Sequence, residues 1–129
     1  MNTLLAVRTL ATPPGSPVVR LEIDQPSKNA DDWACRLRIF EGDRLVAEDQ
    51  GTGEDSLGAL VNAIAGLRWH FDRSGLTAAW FHDEPGTGLP IYLPQGMGKE
   101  FDQRVRQLVE NAVTERSREL EEKNSRPPD

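Results

Sequence analysis

Hydrophobic and polar residues alternate along this chain first with a period of two and later with a period near 3.6. Over Val18 to Asp24, Val19, Leu21 and Ile23 point one way while Arg20, Glu22 and Asp24 point the other. That is the pattern of a half-buried strand. Pro17 and Pro26 bracket it, at ends where no ladder donor is required. A preceding strand over Leu4 to Thr12 is joined to it by the turn Pro13-Pro14-Gly15-Ser16. Alternation resumes from Trp33 to Glu41, with Trp33, Cys35, Leu37 and Ile39 on one face and Arg36 and Arg38 on the other. Pairing across to Glu22 or Glu48 accounts for these arginines on a solvated sheet face. Glu41-Gly42-Asp43-Arg44 then turns the chain into a short strand, Leu45 to Glu48, followed by a loop, Gln50-Gly51-Thr52-Gly53.

The period changes after Gly53. Leu57, Leu60, Val61, Ile64, Leu67 and Phe71 fall on one stripe of a helix over 54–74. Thr52 with Asp55 resembles a capping box, Asp55 and Ser56 are alternative caps, and Gly75 ends the helix. The opposite side collects Gly58, Asn62, Ala65, Gly66 and Trp69. A glycine inside a helix costs about 1 kcal/mol relative to alanine, so two of them imply a close contact. Either the C-terminal helix packs there, or a partner docks in a groove with Trp69 at its rim.

Leu76 to His82 reads as a further strand. Asp83 to Gly96 carries three prolines and three glycines, which predicts an exposed loop or lid pinned by Ile91, Tyr92 and Leu93. A second helix starts near Gly98, with a narrow stripe of Phe101, Val105, Leu108 and Ala112. Its distal half alternates in charge, with Arg118–Glu122 and Glu119–Lys123 at supporting spacings. This half is expected to project and fray. The predicted architecture is α+β, a single domain over 1–123: an antiparallel sheet of four to five strands packed on one long helix, then a C-terminal amphipathic helix. Residues 124–129 are expected to be a disordered tail.

Composition narrows the functional classes. A chain of 129 residues is expected to form one domain. No run approaches the roughly 18 apolar residues that cross a bilayer, and Met1 to Arg8 lacks the features of a signal peptide. The expectation is a cytoplasmic protein without a membrane partner. Cys35 stands alone, which rules out an internal disulfide and a multi-cysteine zinc site, and its mid-strand position implies a buried, inert thiol. The net charge of −6 disfavours nucleic acid, whose binding needs a basic face, and suits a basic protein partner.

Candidate chemistry is sparse. His82-Asp83-Glu84 is the one triplet combining an imidazole with carboxylates at a strand end. Consecutive extended side chains point apart, however, and nothing in the sequence brings His70 or Asp72 close. Gly51-Thr52-Gly53-Glu54-Asp55-Ser56 places two carboxylates where a phosphate-binding turn would hold its ligand. No catalytic residue, metal ligand set or cofactor is assigned. Exposed aromatic candidates for binding are Trp69, Trp80 and Tyr92, alongside His82, Asp83 and Glu84.

Asp32-Trp33-Ala34-Cys35, with Gly53-Glu54-Asp55-Ser56-Leu57-Gly58-Ala59-Leu60 at a helix start, resembles a family of small uncharacterised bacterial proteins. That family has a Trp-x-Cys strand and a Gly-x-Asp-Ser-x-x-Ala-Leu helix opening. The resemblance spans roughly residues 17 to 82, and Gly58 departs from the polar residue usual at its position. It carries no activity. Some proteins of this size and style are similar to immunity proteins of bacterial toxin systems, which act by binding, so the likeness implies a protein-binding domain, in its specific form one that neutralises a cognate toxin. The competing expectations are a small-ligand binder or enzyme using His82, Asp83 and Glu84 beneath the 83–96 loop, and a homo-oligomer that buries the Gly58/Ala65/Trp69 side.

Overall fold

The computed structural model describes residues 3–81, 84–91 and 96–125. Two compact units are present, Met1–Tyr92 and Leu93–Asp129. The first holds a five-stranded antiparallel sheet: β1 (Leu4–Leu10), β2 (Val19–Asp24), β3 (Ser27–Lys28), β4 (Trp33–Glu41) and β5 (Arg44–Gly53). β1 pairs β2, β2 pairs β4, and β4 pairs β5 along its whole length. β3 meets Trp33 and Ala34 of β4, on the same side as β2 and in series with it. Pro26, which has no N–H to donate, falls in the gap between β2 and β3. The β4–β5 hairpin turns on Gly42-Asp43, and Gly42 sits at φ 59, the positive value a two-residue hairpin requires at its first central position.

α1 (Ser56–Ser74) covers one face of this sheet. Asp55 is its N-cap, accepting from the Gly58 N–H, and Gly75 closes it at φ 77. The core is built from Leu10, Val19, Leu21, Ile23, Cys35, Leu37 and Ile39 of the strands with Ala59, Ala63, Leu67 and Phe71 of α1. Alternation in β2 and β4 therefore marks the buried face as expected. On the other face, Arg38 donates to both carboxylate oxygens of Asp24, at 2.8 and 2.6 Å, and lies 3.5 Å from Glu22. Arg36 pairs with Glu48. Asp24, expected on the solvated face, is only 2% exposed.

Several expectations are corrected. β5 runs to Gly53, so 50–53 is strand rather than loop. The reason lies in how closely α1 approaches it. A Cβ added at Gly51 would stand 2.2 Å from the Ala63 nitrogen, and one at Gly53 would stand 2.5 Å from the Ala59 nitrogen. Only small residues permit this backbone-on-backbone seat, so α1 turns Ala59 and Ala63 to the sheet. Leu57 and Val61, assigned to the buried stripe, are 66% and 48% exposed, while Leu60 and Ile64 pack at the margin. Gly66 also faces inward, because a Cβ there would meet Leu37 at 2.7 Å.

The segment after α1 is not a strand. Among the described residues 76–81 only Ala79 pairs, bridging to Ala11 through two backbone hydrogen bonds of 2.8 and 2.9 Å, and His82 at the end of the expected strand lies outside them. The second unit contains α2 (Lys99–Ser125), whose first turn carries Glu100 and Asp102 and whose last carries Lys123, as the helix dipole favours. α2 includes Asn124 and Ser125, and the remainder of the expected tail, 126–129, lies outside the described residues. Arg116 pairs with Glu119 at 3.1 Å. Among the described residues no helix is long and apolar enough to cross a membrane.

Candidate functional site

The outer flank of α1 forms an open concavity on the first unit. With Ala59 and Ala63 turned inward, a rotation of 100° per residue carries Asn62, Ala65, Trp69 and Asp72 away from the core. They line an open groove of about 400 Å³ with Gly66, Arg68 and Arg73. Trp69 is 52% exposed. The Arg73 guanidinium lies over its indole, 3.8 Å from the ring centroid, and the His70 ring meets it edge-on at 4.9 Å. Asn62 donates to the Thr52 carbonyl at 2.6 Å, tying the groove wall to β5.

Electrostatics around the groove are mostly paired. Arg68 donates to the Leu89 carbonyl at 2.5 Å and lies 3.7 Å from Asp72. His70 Nε2 lies 2.8 Å from Asp49 Oδ2 on β5. That hydrogen bond, with a second from the Gln50 N–H, holds the Asp49 carboxyl below the usual carboxylate range. On the opposite face, the Arg38 hydrogen bonds lower the Asp24 pKa despite the burial that opposes them. The same contact raises the pKa of Arg38. Cys35 is fully buried, its Sγ donates to the Asp24 carbonyl at 3.1 Å, and burial pushes the thiol pKa up. An uncharged, buried thiol is a poor nucleophile.

The residues singled out from the sequence divide into separate places. Trp69 occupies the groove. Trp80 packs half-buried against the core, with the Arg8 guanidinium 4.1 Å from its ring centroid and Phe81 at 4.3 Å. Glu84 is exposed. His82, Asp83 and Tyr92 lie outside the described residues. His70 and Asp72 do not join a shared cluster, because each has its own partner. No group of three or more His, Cys, Asp or Glu residues among those described is placed to hold a metal ion.

The part of the 83–96 loop described is strapped down rather than lid-like. Arg8 donates to the Thr87 carbonyl at 3.2 Å, and Arg68 grips Leu89 from the other side. Thr87 is buried, Leu89 packs on the core, and Gly88, at φ 69, leaves room for Trp80. Ile91, expected to pin the loop, is 67% exposed. The sequence reading overlooked Arg73 and the His70–Asp49 pair. The first was accessible from its i,i+4 spacing to Trp69, while the second joins residues 21 apart on different elements.

A family model described as a domain of unknown function, DUF6968, matches residues 6–91. The chain belongs to the DUF6968 family. The matched span contains the sheet from Ala6 onward, all of α1 with its groove, and the strapped segment through Ile91. No curated protein and no solved structure matches the chain.

Proposed function

We propose that this DUF6968 protein is a binding domain that acts by recognition rather than catalysis, docking a protein partner on the outer flank of α1. The observation that carries this reading is Trp69: a large aromatic ring, half exposed, held at the wall of a groove with a guanidinium stacked on it. Tryptophan and arginine are the side chains most enriched among residues that dominate binding energy at protein interfaces. The stack also limits side-chain freedom before binding, which reduces the ordering cost.

The net charge of −6 speeds encounter with a partner of opposite overall charge. A bacterial immunity protein that neutralises a cognate toxin in the cytoplasm is the specific form of this proposal, supported by the sequence resemblance. The test is affinity capture from the source cells with the wild type and Trp69→Ala in parallel. A protein retained by the first and lost by the second supports the reading. Retention that ignores Trp69 contradicts it.

A further inference from the structure

We infer that the α1 groove receives an acidic segment of its partner, one presenting a carboxylate beside an apolar side chain; this deepens the docking reading and rests on it. The overall charge of the chain points to a basic partner, but charges at contact distance follow a different count. Three ionisable side chains line the groove: Arg68, Asp72 and Arg73. Arg68 and Asp72 answer one another at 3.7 Å, and Arg68 also spends a donor on the Leu89 carbonyl. The neighbouring Asp49 is engaged by His70. Arg73 is left as the cation with capacity to spare.

Its guanidinium has five N–H donors. One of them reaches the Trp69 carbonyl at 3.4 Å, and among the described residues no carboxylate stands within ion-pair distance. Placed over the indole, 3.8 Å from the ring centroid, it is held there by cation–π attraction. A planar fork held in place matches a carboxylate bidentately, a geometry an ammonium cannot reproduce. Next to it, Ala65, Gly66 and Trp69 supply apolar lining. The lining takes an apolar side chain while the fork takes the acid.

A random-peptide phage library panned on the intact chain tests this, with affinities of selected peptides then measured by fluorescence polarisation. The expected clones carry Asp or Glu adjacent to Leu, Phe or Trp. Their affinity falls about tenfold or more with Arg73→Glu and with Trp69→Ala, and several-fold with Arg73→Lys, in proteins whose circular dichroism is unchanged. Arg73→Gln, which keeps a polar side chain of similar length, serves as a second variant should Arg73→Glu disturb folding. Clones that lose binding with Trp69→Ala yet lack an acid, or carry Lys and Arg instead, overturn the acidic assignment and leave the docking surface standing. Clones indifferent to both Trp69→Ala and Arg73→Glu overturn both.

Discussion

Gly51→Ala adds one methyl group where β5 meets α1, and its cost can be worked from the geometry. The new carbon would lie 2.2 Å from the Ala63 nitrogen, 2.6 Å from the Ala59 carbonyl oxygen and 2.7 Å from the Asn62 carbonyl carbon. Heavy atoms rest at about 3.5–4.0 Å, so the clash exceeds about 1 Å. All three obstacles are backbone, so no side-chain rotation relieves it. α1 must lift from the sheet, thinning the contacts of Ala59, Ala63, Leu67 and Phe71 together. A gap of 0.5–1 Å already forfeits roughly a quarter to a half of each attractive contact.

Overpacking of this kind costs about 1–3 kcal/mol, and a backbone obstacle places Gly51→Ala towards the upper end. Loss of glycine freedom in the unfolded chain returns about 0.4–1 kcal/mol. The expected net loss is roughly 2 kcal/mol. With a urea slope of about 1–3 kcal/mol/M, the unfolding midpoint falls by roughly 0.7–2 M. Urea titration followed by circular dichroism reads this directly. Gly86→Ala is the control, since a Cβ there meets nothing within 4 Å, and it should stay within about 0.5 kcal/mol of wild type. If Gly51→Ala unfolds at the same midpoint and slope as that control, α1 does not sit on the β5 backbone as described.

Gly58→Ala should be neutral or stabilising by up to about 1 kcal/mol, because its new carbon meets only the Asp55 carboxylate oxygen at 3.1 Å and Gly53 Cα at 3.7 Å; thermal melts check the sign. Asp24→Asn should cost roughly 3 kcal/mol at neutral pH by leaving Arg38 short of its buried partner, read by urea titration. Asp24 and Asp49 both have folded pKa values below 3.8. Their stabilisation is therefore fully present above that pH and is lost as pH falls below it through the folded values. Acid titration of stability should show this loss, with a smaller decrement in Asp24→Asn. Cys35, buried and with its thiol pKa raised, should resist Ellman's reagent in the native protein and react in urea; prompt native labelling would contradict its placement.

β2 and β4 were legible because one face of each is apolar and the other charged, so period and orientation agree. The end of β5 was not. Gly51 and Gly53 flank a lone β-branched Thr52 and leave no alternation of apolar side chains, and glycine reads as a loop unless one knows that a helix lies on it. The same contact misled the reading of α1. Bulk alone marks leucine and valine as core, whereas close approach to β5 selects Ala59 and Ala63 for the sheet side, and the Leu37 side chain of β4 leaves room only for glycine at 66. Leu76 to Phe81 is apolar enough for a strand, yet only Ala79 finds a ladder partner. Within the site, Trp69 was legible as an exposed aromatic opposite the core. The pairing of Asp49 with His70 was not, since it exists only once β5 extends beneath α1.

The proposed docking of a protein partner on the outer flank of α1 is tested by calorimetric titration of a partner recovered by affinity capture. Wild type, Trp69→Ala and Phe81→Ala are to be compared. Phe81 is an even more exposed aromatic, at 84%, and it is not among the groove-lining residues. Trp69→Ala should lose at least about 2 kcal/mol, roughly thirtyfold in Kd, with Phe81→Ala close to wild type. Unchanged affinity in Trp69→Ala, or a larger loss in Phe81→Ala, would contradict this docking.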